Sequence, residues 1–196
     1  LQLAAQEVGA LQIHNRGTIA GNLCNASPAA DGIPPLLTLD VKVELQSKGG
    51  TRVVPLQNFI TEPRKTVLAE NELVTSLLIP KSSLTGQSHF LKLGARVYLV
   101  ISIAMTSARI VVRNGIVVEA ALAIGSCGPV ATRLPKVEAQ MIGKAVDPKV
   151  INDDMVAAAI DPISDIRATA AYRAISAAEL LRRSVMELAM DQEAVD

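Results

Sequence analysis

IHNRGTIAGNLCNASPAAD, residues 13–31, decides how the rest of the chain is read. It gathers Gly17 and Gly21, the small or hydroxylated residues Thr18, Ala20, Ala26 and Ser27, and Asn15, Asn22 and Asn25, and it closes on Pro28 and Asp31. No helical or alternating period runs through the stretch, which predicts neither an ordinary helix nor a core strand. Glycine and alanine around a hydroxyl let backbone approach backbone or ligand closely, and consecutive N–H groups in a tight turn form a concave anion site. Two roles are open to it: a cradle for a diphosphate, or a polar connector. Its length favours a ligand, since compact domains seldom use so long a connector.

Working outward, the preceding residues 1–8 place Leu1, Ala4, Ala5 and Val8 on one helical face, and Gly9 is a stop. Downstream, Pro34 and Pro35 end the irregular segment, and residues 37–46 alternate strictly, with Leu37, Leu39, Val41, Val43 and Leu45 against polar neighbours. That period predicts a half-buried strand, which residues 47–50 turn into a partner over 51–56. A further short strand is expected at 73–79, closed by Pro80.

Residues 81–87, KSSLTGQ, are polar and follow a proline, so they mark a linker between residues 1–80 and 88–196. Beyond it a strand begins near His89. Two apolar runs, 101–112 and 116–124, flank Asn114–Gly115, a strong two-residue hairpin signal. Three helices are then expected: 135–142, 148–160, and a long one capped by Ser164 or Asp165 and running to about Met190. Along the last, Ala171, Ala174, Ala178, Leu181, Val185 and Leu188 share one face, and the tail DQEAVD is expected to fray. The class is α+β.

Composition narrows the function. The 196 residues are 49% hydrophobic but only 2% aromatic, so the core is built from Ala, Val, Leu and Ile. With 19 basic and 19 acidic residues, no net field favours nucleic acid or an anionic membrane. No apolar window approaches the roughly 20 residues needed to span a bilayer, and the first ten lack a secretory pattern. Cys24 and Cys127 lie far apart with no CxxC, so neither zinc nor an iron–sulfur cluster is encoded, and a reduced, cytoplasmic setting is expected. A start without methionine suggests that the chain begins within a longer protein.

The string QIHNRGTIAGNLCNASPAAD, continued by LLTLDV, resembles the second flavin-binding segment of the FAD-carrying subunits of molybdenum hydroxylases, the group of xanthine dehydrogenase and the carbon monoxide dehydrogenase flavoprotein. His14 replaces a common arginine and Ala20 a common glycine. KLGARVYLVIS, the ALAIGS run with Pro129 and Arg133, and SDIRATAAYR resemble that family's C-terminal domain, so the likeness extends nearly end to end. It implies the second lobe of a two-lobed FAD-binding domain over 1–80, then an antiparallel three-stranded sheet packed on a helix bundle over 88–196. The family's first flavin-binding lobe is not matched.

By the same resemblance, Thr18, Ile19, Ala20, Gly21 and Asn22 line the FAD diphosphate and flavin edge, Asp31 hydrogen-bonds FAD hydroxyls, and Lys92 sits beside the flavin. Each has a plainer counterpart: a hydrogen-bonded turn, ordinary Asp–Gly turn chemistry, and a solvated strand lysine. Val74 aligns with an apolar cofactor contact and is equally a core residue. His14 and His89 have no triad or metal partners at a meaningful spacing, no catalytic residue is expected, and Arg167, Tyr172 and Arg173 are read as structural or interface residues. The implied function is an electron relay that passes electrons from iron–sulfur clusters through FAD to NAD or another acceptor. The molybdenum cofactor and the clusters would sit on two partners, a molybdenum-cofactor subunit and a small iron–sulfur subunit. The alternative is a subunit-docking module that binds no flavin by itself.

Overall fold

The structure, a computed structural model, describes residues 1–97 and 99–193. Tyr98 of the KLGARVYLVIS match and residues 194–196 of the tail expected to fray lie outside the described residues.

Four short helices open the chain: α1 (Gln2–Gln6), α2 (Leu11–His14), α3 (Ile19–Asn25) and α4 (Ile33–Thr38). The opening helix matches expectation, stopping before Gly9 at φ +62°. Two corrections follow. The decisive stretch is not free of helix: Thr18 adopts extended backbone and its Oγ1 accepts the Gly21 N–H, so it caps the seven-residue α3. Residues 33–38 are helical where strict alternation predicts a strand from Leu37. Pro34 and Pro35 fall in the first turn of α4, where a fixed φ and a missing N–H are harmless, so they start the helix instead of ending a loop.

Alternation misleads here because every residue of α4 is buried, and a helix enclosed on all sides needs no polar face. Burial of Ile33, Leu36 and Leu37 contributes about 1.5–3 kcal/mol each. The strand begins only after Asp40, whose φ of +52° turns the chain out of the helix.

β1 (Lys42–Ser47) pairs antiparallel with β2 (Gly50–Pro55) as expected. After the unanticipated hairpin of β3 (Ile60–Glu62) and β4 (Lys65–Thr66), β5 (Leu73–Leu78) joins the other edge of β1, giving the order β2-β1-β5. The segment expected as a linker holds a 3-10 turn over Lys81–Leu84 and the first residue of β6 (Gln87–Leu93).

β6, β7 (Ala104–Arg113) and β8 (Ile116–Gly125) form the expected antiparallel sheet, and the two-residue β9 (Thr132–Arg133) extends it to four strands. Asn114 and Gly115 have φ of +51° and +73°, as a type I′ hairpin demands. α5 (Pro135–Met141) is as predicted. The helix predicted over 148–160 splits into a 3-10 turn at Pro148–Val150 and α6 (Asp153–Ala159), because Asn152 Oδ1 accepts the Asp154 and Met155 N–H groups and starts a new helix.

α7 (Ala170–Glu193) begins later than its predicted caps. Ser164 Oγ still accepts the N–H of Ala170, the first residue of α7, at 2.9 Å, whereas Asp165 closes a turn with the N–H groups of Arg167 and Ala168, and Thr169 accepts from Tyr172. Ala178, Leu181, Val185 and Leu188 are buried, as expected of one shared face, whereas Ala171 is exposed.

The four-stranded sheet has two occupied faces. Ala120, Leu122 and Ile124 of β8 join Ala178, Leu181 and Val185 of α7 in one core, while Ala123, pointing the other way, joins Leu23, Leu36, Val43 and Phe59 in a second. α4 therefore lies between the two sheets. Arg133 clamps the junction, bonding Leu37 O at 3.0 Å, Asp40 Oδ1 at 2.6 Å and Glu138 Oε1 at 2.6 Å. Arg173, 1% exposed, ties the C-terminal half together by donating to Ile103 O, Ser126 O and Asp165 Oδ1.

Candidate functional site

The first turn of α3 and a buried ion pair are linked through Asn22, which touches Gly32 in the loop between α3 and α4. Four backbone N–H groups open α3. Gly21 N–H is used internally, donating to Thr18 Oγ1 at 2.9 Å, and Asn22 N–H makes the first regular helical bond, to Thr18 O at 2.9 Å. Among the described residues, the N–H groups of Ile19 and Ala20 have no partner. Thr18, Ile19 and Gly21 are exposed, and Asn22 is half-buried.

Asn22 turns inward, and its Oδ1 is buried without a hydrogen-bond partner. It lies against Gly32, where an added β-carbon would stand 2.9 Å from that oxygen. A buried, unpaired carbonyl oxygen costs about 1–3 kcal/mol. A donor brought in from outside this chain would satisfy it.

The residue before Gly32 is Asp31. Its Oδ2 receives the Lys92 ammonium at 2.8 Å and its Oδ1 the Ser102 hydroxyl at 2.7 Å. Lys92 also donates to Glu7 O at 3.1 Å, past the end of α1. The two charged side chains are only 6% and 9% exposed, so water screens them little. Removing either would leave an uncompensated buried charge, at a cost of about 3–5 kcal/mol.

Seven of the eight predicted residues therefore fall into two adjoining groups, Thr18 to Asn22 and Asp31 with Lys92, joined at Asn22 and Gly32. The lysine is a buried partner of the aspartate, not a solvated strand residue. Val74 is placed otherwise, on β5 opposite Leu45, half-buried against the second core. Ser102, Gly32 and the Glu7 carbonyl carried no sequence signal, because each matters only through a neighbour brought close by folding.

A separate cavity of about 220 Å³ lies beside Phe90, between Leu1, Leu3, Pro35, Thr38, His89 and Ser107. None of the eight candidates lines it. Among the described residues no group of three His, Cys, Asp or Glu could hold a metal ion, and no helix is long and apolar enough to cross a membrane.

Comparison with known proteins extends this picture. Residues 1–82 match the family described as the FAD binding domain in molybdopterin dehydrogenase, and residues 89–188 match the carbon monoxide dehydrogenase flavoprotein C-terminal domain. The chain is 40% identical to the nicotinate dehydrogenase FAD-subunit of Eubacterium barkeri over 53% of its own length and 36% of that protein. It is 34% identical to the xanthine dehydrogenase FAD-binding subunit of Escherichia coli O157:H7 over 69% of its length and 47% of that protein. It thus spans less than half of either relative. Carbon monoxide dehydrogenase from Hydrogenophaga pseudoflava shares the fold, with a TM-score of 0.88 at 24% identity, covering 96% of this chain and 66% of that one.

Proposed function

Because this chain belongs to the FAD-binding family of the molybdopterin dehydrogenases and carries the carbon monoxide dehydrogenase flavoprotein C-terminal domain, we propose that it is the FAD-holding, electron-relaying subunit of a molybdenum-containing hydroxylase or dehydrogenase. The observation that carries this reading is the unpartnered Asn22 Oδ1 held against Gly32, one residue from the buried Asp31–Lys92 pair.

Those residues fit the cofactor. The Ile19 and Ala20 N–H groups are donors suited to phosphate oxygens, Asn22 Oδ1 is an acceptor in need of a donor, and Gly32 leaves the room that this oxygen occupies. Asp31 fixes the ammonium of Lys92, and a cation held in a site of low dielectric stabilises negative charge brought next to it. Val74 would contribute only an apolar wall. Bound FAD would supply the redox chemistry, taking up electrons and passing them on; the chain supplies binding, orientation and electrostatics. No general acid or base is assigned.

The electrons would come from iron–sulfur clusters on a small partner subunit, after oxidation of substrate at a molybdenum cofactor on a third chain, and would pass to NAD or another acceptor. Residues 1–80 would form the second FAD-binding lobe, 81–87 a linker and 88–196 the C-terminal domain, in a cytoplasmic complex. A second reading, a docking module without flavin of its own, is favoured by one observation: both Asp31 oxygens and the Gly21 and Asn22 N–H groups already have internal partners. Flavin absorbance of the purified protein, before and after incubation with FAD and gel filtration, tests the choice. Retained absorbance supports the relay; a colourless protein that retains no added FAD supports the docking module.

A further inference from the structure

We propose that Ser102 is a positioning residue for the cofactor site, holding Asp31 so that Asp31 can hold Lys92; the proposal rests on the FAD-binding reading above. A carboxylate bonded through one oxygen can still rotate about its last torsion, which is broad. Asp31 is bonded through both, to Lys92 at Oδ2 and to Ser102 at Oδ1, and that second bond removes the rotation. Ser102 suits the task because it is itself fixed. It is 2% exposed, and its neighbour Ile103 is anchored at both backbone groups, donating to Leu93 O at 2.8 Å and accepting from the buried Arg173 guanidinium.

The chain of contacts therefore runs from the C-terminal core, through Arg173 and Ile103, to Ser102, Asp31 and Lys92. Ser102 and Ile103 lie in the segment just before β7, and the two backbone bonds of Ile103 fix that segment, so the ammonium is placed from an anchored position, as a precisely placed site requires. Its consequence is specific: without the hydroxyl, the Asp31–Lys92 pair persists but is no longer held in one orientation.

A merely structural hydroxyl would behave differently, and the fold supplies one for comparison. Ser107 is 3% exposed, and its Oγ is 3.1 Å from Thr38 Oγ1, outside the candidate site. The experiment measures the FAD dissociation constant by flavin fluorescence and the melting temperature for the purified wild-type protein, Ser102→Ala, Ser102→Thr and Ser107→Ala. Ser102→Ala is expected to weaken FAD binding about tenfold, as loss of a hydrogen bond to a charged group would. Ser102→Thr, which retains the hydroxyl, should recover most of it, and Ser107→Ala should lower the melting temperature without changing FAD affinity. Should Ser102→Ala fail to fold, Ser102→Cys carries the same expectation, since a thiol is a weak donor of similar size. Wild-type affinity left unchanged by Ser102→Ala or Ser102→Cys, or an equal loss in Ser107→Ala, overturns the proposal alone. A wild-type protein with no FAD affinity overturns the underlying reading and this proposal together.

Discussion

Asn22 and Gly32 are in contact across the α3–α4 loop, with the buried Asn22 Oδ1 2.9 Å from where a β-carbon on Gly32 would lie. Gly32 has φ of −75°, which any residue adopts, so the glycine is required by space and not by backbone conformation. Gly32→Ala should therefore change stability by less than about 1 kcal/mol, because the displaced atom ends a side chain that can rotate and alanine restricts the unfolded chain. FAD affinity should fall about three- to tenfold as Asn22 swings away. Urea denaturation and FAD titration of the variant check both halves.

Arg133 is the residue on which the junction of the two sheets depends. It holds Asp40 and the Leu37 carbonyl on one side and Glu138 on the other, while Glu138 also accepts the Leu122 N–H at 2.8 Å. Arg133→Met should cost about 2–4 kcal/mol in urea denaturation, since it strands a mostly buried carboxylate. Lysine should recover little, as it lacks the planar fork that bonds both sides at once.

Acid should weaken the turn before α7 through Asp165. Burial alone would raise its carboxyl, but the Arg167 N–H, the Arg173 and Arg167 guanidiniums and the Ala168 N–H together hold it at about 2, against an ordinary 3.8. A folded value below the unfolded one means stability that is fully present above pH 3.8 and lost as pH falls through about 2. Asp165→Asn should therefore be less stable than wild type at neutral pH, and the difference should shrink as pH falls from 3.8 towards 2. Chemical denaturation across that range provides the measurement.

The two thiols should differ in reactivity. Burial pushes Cys127 up to about 12, only partly offset by Arg173, and its Sγ lies 3.7 Å from Arg173 O. Cys24, also raised by burial, is half-exposed. A thiol reagent at pH 8 should modify Cys24 in the folded protein and Cys127 only after denaturant is added, because the reactive species is the thiolate and it must be reached.

How much of this was legible before folding depends on where the controlling interactions lie. Asn114–Gly115 announced its hairpin because both residues tolerate positive φ, a local property. The QIHNRGTIAGNLCNASPAAD match led to the family that the comparisons show, and its candidate residues lie on α3, with Thr18 as its cap, and in the loop that follows. The strand predicted from Leu37 failed because the surroundings of α4, a sheet on each side, are a tertiary fact that hides a helix inside alternating hydrophobicity. The helix over 148–160 failed because Asn152 is an N-cap within an otherwise continuous pattern. Lys92 and Asp31 are 61 positions apart, and no spacing rule could have paired them.

FAD is proposed to bind across the first turn of α3 and the neighbouring Gly32 of the α3–α4 loop. Amide spectra of the ¹⁵N-labelled protein, recorded through an FAD titration, test it most directly. Saturable shifts are expected at Ile19, Ala20, the Asn22 side chain and Gly32, with the hairpin residue Gly115 unmoved. Shifts confined to the cavity beside Phe90, or a spectrum that FAD leaves unchanged, would contradict it.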